Sequence, residues 1–205
     1  MIENIYSFFA KIFENNAVLA TIIISMVPII EIKGAIPFSI SEIFWGNSSL
    51  SLWQGLGWSI LGCSLIVPIL TLVYRPIINL LKKNIHFSNI GSAIENFIIN
   101  KSKKLNKSSS AAKLKKMCIL FIFVAIPLPL TGVWTGTCIA SCMNLGFINT
   151  CSSVILGNIV AGIIIVLTLS IFPFLNNYLF LIFIAIILTY LLVKLIIFIK
   201  RKKLG

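Results

Sequence analysis

Charged residues are scarce in this sequence. Only 11% of its 205 residues are Asp, Glu, Lys or Arg, whereas a soluble domain carries roughly 25%. Two long stretches, 43–74 and 117–193, contain no charged residue at all. Hydrophobic residues make up 59% of the chain. This composition excludes an ordinary soluble fold and predicts an all-α integral membrane protein, with residues 1–205 forming a single membrane domain.

Acidic residues are the scarcest charged class. The chain has five of them against seventeen basic residues, which gives a net charge of +12. Most of the basic residues lie in the segment 75–116, and others form the tail at 200–203. Positive residues beside apolar segments mark the cytoplasmic side of a membrane, so both segments are expected there, next to anionic lipids. No nucleic-acid recognition motif accompanies them, so nucleic acid is not an expected partner.

Signatures of enzymes and of metal sites are also lacking. The sequence has no P-loop, no GxSxG and no HExxH motif, so we expect neither an enzyme nor a cofactor. Cys138 and Cys142 lie four residues apart and could share a helix face, but no His or carboxylate lies nearby to complete a metal site. The preferred interpretation of the five cysteines is small apolar side chains in a packed interior: Cys63, Cys118, Cys138, Cys142 and Cys151.

Long apolar runs divide the chain into membrane segments. A span needs about 20 apolar residues, and three segments are long enough: 52–74, 147–172 and a C-terminal span at 178–199. The first sixteen residues contain acids and no small-residue cleavage site, so they do not form a secretory signal. Their apolar residues recur at helical spacing, which predicts an interfacial amphipathic helix at 1–16.

Two shorter apolar runs, 17–30 and 117–130, have fourteen residues each. As helices they reach roughly 21 Å, less than the hydrocarbon core of about 30 Å. A second apolar stretch follows each run, so we predict re-entrant helical hairpins at 17–45 and 117–145. The positions of the basic segments favour the second hairpin, because a full crossing there would put the basic tail outside. For the first hairpin, the side of the membrane on which the N-terminus lies stays open.

Short sequence matches suggest an internal repeat. "KGAI" at 33–36 and "TGVW" at 131–134 follow the two Pro-containing breaks, and "ILG" occurs at both 60–62 and 155–157. Each predicted hairpin is followed by a span, and the two hairpins are predicted to open to opposite sides. Inverted repeats with broken helices are the architecture of many secondary transporters. We predict two inverted repeats, divided by the basic cytoplasmic loop 75–116: 17–74 and 117–172.

Polar groups inside apolar segments are functional candidates. Glu31 and Lys33 lie at the first break, and "PLPLTGVWTGT" forms the second. Proline removes a backbone donor and glycine permits a tight reversal. The hairpins are therefore predicted to break at these residues: Gly34, Pro37, Pro127, Pro129 and Gly132.

A meeting of the two breaks would create a cavity for a charged substrate. Helix N-termini and Lys33 would favour an anionic group such as a phosphate, and Glu31, desolvated there, could take up and release a proton. The substrate-binding candidates are Lys33, Gly34, Pro37, Pro127, Pro129, Thr131, Gly132, Trp134 and Thr135. In the alternative interpretation, Glu31 and Lys33 are solvated beyond a plain hairpin tip, because residues two apart do not face each other on a helix.

The two breaks resemble a known family. "EIKGAIP" at 31–37 and "PLPLTGVWTG" at 127–136 are similar to the motifs of the small multi-drug export proteins of the bacterial inner membrane. The residues that match are Glu31, Gly34, Ile36, Pro37, Pro127, Pro129, Thr131, Gly132, Trp134 and Gly136. Lys33 departs from the usual Arg of that family, and Leu130 from its usual Gly. Lys keeps the charge without the bidentate fork of Arg.

The paired hairpins also resemble the wider DedA/VTT group, whose members are linked to lipid translocation, including undecaprenyl phosphate recycling. The second acid and the arginine-containing motif of that group are absent from this sequence. These resemblances imply a multi-pass protein of the bacterial inner membrane and a role in export.

The expected function is secondary transport of an amphipathic or lipid-like substrate, with an anionic substrate and proton coupling through Glu31 as its most specific form. The first alternative is an uncoupled lipid scramblase or a carrier of polyprenyl phosphate or phospholipid. The second is a non-transporting membrane scaffold or accessory protein. Assembly into a homo-oligomer is compatible with each of these, and the sequence does not name the substrate.

Overall fold

The computed structural model describes residues 13, 16–83, 109–128 and 130–172. Within these residues the chain is all-helical and has no strand. The predicted interfacial helix, most of the basic loop, Pro129 and the C-terminal span at 178–199 lie wholly or mainly outside the described residues. The helices are α1 (Ala17–Met26), α2 (Glu31–Ser39), α3 (Leu52–Lys83), α4 (Ser109–Ala125), α5 (Val133–Cys142) and α6 (Phe147–Ile171), with a helical turn (Glu42–Trp45) and a 3₁₀ turn (Gly46–Ser48) before α3.

Two of these helices, α3 and α6, are long and apolar enough to cross a membrane by length and composition. α6 coincides with the predicted span 147–172. α3 continues to Lys83, past the predicted end at Tyr74, because the charge of Arg75 ends the apolar run without ending the helix. Both helices expose large apolar side chains such as Leu65 and Leu156. Helices with exposed apolar surfaces are typical of a protein embedded in lipid, where the backbone must form its hydrogen bonds internally.

The two short apolar runs form helices that end before a proline. The Asn16 side chain accepts a hydrogen bond from the Leu19 N–H at 3.0 Å and caps α1. Pro28 disfavours helical geometry at the residue before it, and Val27 is extended, with ψ 132°. α4 ends in the same way ahead of Pro127. α4 begins at Ser109, eight residues before the apolar run at 117–130. Its first turns contain lysines, so a count of apolar residues does not detect them as part of the helix.

The chain has two halves, α1–α3 and α4–α6. Glycines bring the long helix of each half against its first short helix. A Cβ on Gly62 of α3 would overlap the backbone carbonyl of Ile22 in α1, and a Cβ on Gly157 of α6 would lie 2.7 Å from the carbonyl of Phe121 in α4. Small residues allow this close approach between helices in lipid. The two "ILG" triplets of the sequence therefore end in glycines that make the same kind of contact.

The same backbone conformations also occur in both halves. Glu31 lies three residues after Pro28, and Leu130 lies three residues after Pro127. Both have positive φ, 46° and 67°. Gly46 and Asn144 lie after the second short helix of each half, with φ 51° and 53°. α2 packs against α1, α3 and α6, and α5 packs against α4, α6 and α3. The two halves thus share the order of their helices, the contacts between those helices and two positions of positive φ.

The apolar core lies where the second short helices meet the long ones. Ile32 and Ile36 of α2 and Val133 of α5 are fully buried there. A Cβ on Gly162 of α6 would lie 2.6 Å from the end of the Ile32 side chain. This packing fixes the start of α2, and with it Glu31 and Lys33, between the two long helices.

Candidate functional site

The two breaks of the chain lie against each other. The Trp134 indole N–H donates to the carbonyl of Met26 at 3.0 Å. Lys33 Nζ lies 3.4 Å from the hydroxyl oxygen of Thr131. The structure therefore brings the first break, "PIIEIKGAIP" at 28–37, and the second break together, although about a hundred residues separate them in the sequence.

The Glu31 carboxylate caps a helix of the other half. Glu31 is 4% exposed, and its Oε1 accepts a hydrogen bond from the Trp134 N–H at 3.1 Å. The Val133 N–H also bonds to the carboxylate. Val133 and Trp134 begin α5, where backbone N–H groups lack partners within the helix and carry the positive end of its dipole. A carboxylate is well suited to this position.

Lys33 completes an ion pair with Glu31. Its Nζ lies 3.4 Å from Glu31 Oε2, and the two side chains are 7% and 5% exposed. The alternative expectation of two solvated charges that do not face each other is wrong for this structure. Glu31 begins α2 with φ 46°, so its side chain leaves the backbone in a direction that regular helical spacing does not describe.

The first break contains two non-glycine residues with positive φ. Ile29 has φ 76° and Glu31 has φ 46°. A β-branched residue rarely adopts this region, and each such residue costs of order 1–3 kcal/mol. The ion pair and the contacts with α5 hold this conformation. The break is thus a locally strained segment whose two charged side chains are paired with each other.

Gly132 makes room for the carboxylate. It is the N-cap residue of α5 and has φ 154° and ψ −160°, a region that only glycine adopts readily. An added Cβ would lie 2.6 Å from the carboxyl carbon of Glu31. Gly132 is therefore needed for its backbone conformation and for the space beside it.

Thr131 holds the second break in shape. Its hydroxyl donates to the carbonyl of Ile126 at 2.7 Å and accepts from the Leu128 N–H at 3.1 Å. Pro127 lies between these two residues and is half-buried. The Thr135 hydroxyl lies 3.4 Å from the carbonyl of Gly132, on the α5 side of the break.

Two residues that were predicted to break the first hairpin lie inside a helix instead. Gly34 is inside α2, where its N–H donates to the carbonyl of Ile30 at 2.9 Å, so the prediction that it forms the reversal is wrong. The reversal lies at 27–30, ahead of it. Pro37 is also inside α2 and does not break it. α2 ends two residues later at Ser39, so near the end of the helix the missing N–H of Pro37 costs one hydrogen bond only.

Sequence reasoning missed one polar pair. The buried Cys63 thiol donates to the carbonyl of Ser25 at 3.2 Å and faces the Asn158 side chain. Asn158 is 2% exposed and lies in the middle of α6. Each residue directly follows one of the "ILG" triplets, so equivalent positions of the two halves meet. An amide in the middle of an apolar span was the available signal.

The arrangement acts as a contact that depends on one charge. When ionised, Glu31 binds Lys33 and the first N–H groups of α5. Protonation would remove the ion pair and weaken the cap, leaving a buried cation and a positive helix end without an anion. The described residues contain no group of three or more His, Cys, Asp or Glu side chains that could hold a metal ion.

A family model described as "Putative small multi-drug export protein" matches residues 31–164. The match begins at Glu31, within the first break, includes the whole of the second break and covers well over half of the chain. No curated protein and no solved structure matches the chain.

Proposed function

Because this chain belongs to the small multi-drug export protein family, we propose that it is a membrane exporter in which protonation of Glu31 opens the contact between the two breaks. The general role in export rests on the family. The coupling rests on one observation, the buried Glu31 carboxylate that binds Lys33 and the first N–H groups of α5.

The proposed architecture has two re-entrant hairpins. In the second half, Lys116 near the start of the hairpin donates to the carbonyl of Met143 near its end, at 3.0 Å. In the first half, Ala17 at the start of α1 shares an apolar cluster with Phe44 and Trp45 after α2. Contact between the start and the end of each helix pair supports a chain that enters and leaves on the same side.

The two hairpins are proposed to open to opposite sides. The first returns at Leu50, beside the start of α3, whereas the Arg75 side chain donates to the carbonyl of Leu145 at the return of the second. Leu52 and Arg75 are separated by roughly 35 Å along α3. The basic side is the cytoplasmic side by the positive-inside rule, so the second hairpin opens there.

Cysteine labelling tests this orientation. In a variant without the native cysteines, single cysteines replace Ser48 or Ser109, and a membrane-impermeant maleimide is added to sealed cells or to inverted vesicles. We expect the two positions to react from opposite faces. Reaction of both from one face rejects the inverted arrangement, whatever the transport activity.

The proposed transport step exchanges one anion for another. With Glu31 ionised, its carboxylate occupies the N-terminus of α5 and pairs with Lys33. Hydrogen bonds to charged groups contribute about 1.5–3 kcal/mol each, so neutralising Glu31 removes several kcal/mol of contact between the halves. Lys33 and the α5 N-terminus can then take an anionic group of the substrate. Proton uptake and substrate binding are linked through this exchange.

The surroundings of the breaks favour an amphipathic or lipid-like substrate. Large apolar side chains are exposed around both breaks and would face lipid: Val27, Ile29, Ile126, Leu128 and Leu130. An acyl chain could lie against them while its headgroup reaches Lys33. This observation equally favours the second candidate, an uncoupled scramblase or phospholipid carrier, in which Lys33 and the helix end matter more than Glu31.

Flux in proteoliposomes separates the candidates. The probe is fluorescent phosphatidylglycerol, followed by chemical quenching of the outer leaflet with and without a pH gradient. A coupled exporter drives the probe into one leaflet, and Glu31→Gln is expected to abolish this asymmetry. The matched control is Glu42→Gln, which removes an exposed carboxylate and should leave the asymmetry unchanged. Asymmetry that survives in Glu31→Gln rejects the coupling. Equal amounts of the probe in both leaflets, reached with or without the pH gradient, identify a scramblase. No movement of the probe in the wild type or in either variant indicates a scaffold.

A further inference from the structure

A pair of thiols lies outside the site described above. Cys138 and Cys142 lie four residues apart on α5, on successive turns of the same helix face. Both thiols are half-buried. The transport proposal uses neither thiol.

The spacing of the pair fits a bridging ion better than a disulfide. Residues four apart on a helix have Cβ atoms about 5–6 Å apart, whereas a disulfide requires about 3.5–4.5 Å. A metal–thiolate bond is about 2.3 Å long in zinc sites, so an ion directly between two sulfurs separates them by about 4.6 Å. Helical spacing allows this separation without unwinding α5.

A site made of two thiols alone favours a particular class of ion. Among the described residues no third His, Cys, Asp or Glu joins the pair in a metal-binding group. Zinc prefers four ligands, but soft monovalent ions such as Cu(I) and Ag(I) accept two thiolates in a linear arrangement, and thiolate ligands select Cu(I).

Nearby cations favour the charge of such a complex. Two thiolates and one monovalent ion carry a net charge of −1, and the two thiol protons are released to solvent. Cys142 directly precedes Met143, whose carbonyl accepts from Lys116 Nζ at 3.0 Å. Arg75 binds the same loop at the Leu145 carbonyl. We propose that Cys138 and Cys142 form a two-coordinate site for a soft monovalent metal ion at the end of α5.

Competition for Cu(I) tests the site. The full-length protein in nanodiscs, with its cysteines reduced, is titrated against the Cu(I) chelator bicinchoninate. We expect one bound Cu(I), and Cys138→Ser and Cys142→Ser are each expected to weaken its binding at least a hundredfold. Cys118→Ser, which removes an exposed cysteine of α4, is the matched control and should bind as the wild type does. No competition by the wild type, or full binding by either serine variant, overturns the proposal.

Protection of the native thiols gives a second measurement without any substitution. Ag(I) is added to the wild-type protein before alkylation with N-ethylmaleimide, and the modified peptides are quantified by mass spectrometry. Cys138 and Cys142 should be protected together by one equivalent of Ag(I), while Cys118 remains reactive. Equal protection of Cys118, or protection of one thiol of the pair alone, contradicts the two-coordinate site.

Discussion

Substitution of Gly132 by alanine tests the contact between the breaks most quantitatively. The added Cβ would lie 2.6 Å from the carboxyl carbon of Glu31, so the carboxylate must move away from the start of α5. The alanine must also adopt φ 154° and ψ −160°. These are two separate costs, and they can be measured separately.

The magnitudes follow from the geometry. The backbone conformation costs of order 1–3 kcal/mol for a residue other than glycine. Loss of a hydrogen bond from an α5 N–H to the charged carboxylate costs about 1.5–3 kcal/mol. Gly132→Ala should therefore destabilise the protein by about 2.5–6 kcal/mol. In the double variant Glu31→Ala/Lys33→Ala, which lacks both charges and leaves neither unpaired, the same change should cost only about 1–3 kcal/mol.

The assay is reversible unfolding by SDS in mixed micelles, followed by circular dichroism. Gly57→Ala is the control, because a Cβ at this position meets nothing within 4 Å. Replacing a glycine in the interior of a helix by alanine should stabilise α3 by about 0.5–1 kcal/mol. A Gly132→Ala cost that is the same with and without the two charges would refute the contact between Glu31 and Gly132.

Three further changes test the shared features of the two halves by the same unfolding measurement. Leu130→Gly should stabilise the protein by roughly 0.5–1 kcal/mol, because Leu130 has φ 67° and is exposed, and glycine removes the strain of that conformation; Leu130→Ala should give no gain. Gly62→Ala and Gly157→Ala should each destabilise by roughly 1–3 kcal/mol through overpacking against a backbone carbonyl, and a neutral result at either would contradict its close helix contact. Asn158→Ala should cost about 0.6 kcal/mol, the average for a hydrogen bond between membrane helices, and that cost should vanish when Cys63 is already alanine.

The sequence predicts the parts of the fold that depend on apolar length. The span 147–172 coincides with α6, and the ends of the short helices follow from the residues before Pro28 and Pro127. The end of α3 and the start of α4 were not predictable in this way. Helices continue through charged residues at a membrane surface, since such side chains reach water along their stems.

The candidate site was predictable as a set of residues but not as a geometry. The composition of the two breaks identified Glu31, Lys33, Thr131 and Trp134 as polar groups in apolar surroundings. Sequence spacing could not show that Glu31 reaches the start of α5, because that contact depends on a positive φ at Glu31 itself. The location of the reversal at 27–30, rather than at Gly34, has the same origin. The relationship to the DedA/VTT group stays a prediction.

Hydrogen–deuterium exchange at the start of α5 tests the central claim most directly. The claim is that ionised Glu31 holds the N–H groups of Val133 and Trp134, and that protonation releases them. Exchange of this segment, corrected for the intrinsic effect of pH, is measured at neutral and mildly acidic pH, with a peptide from α6 as the internal reference. We expect slow exchange at neutral pH and faster exchange in acid for the wild type, and fast exchange at both for Glu31→Gln. Equal protection of the wild type and Glu31→Gln at neutral pH would contradict the account.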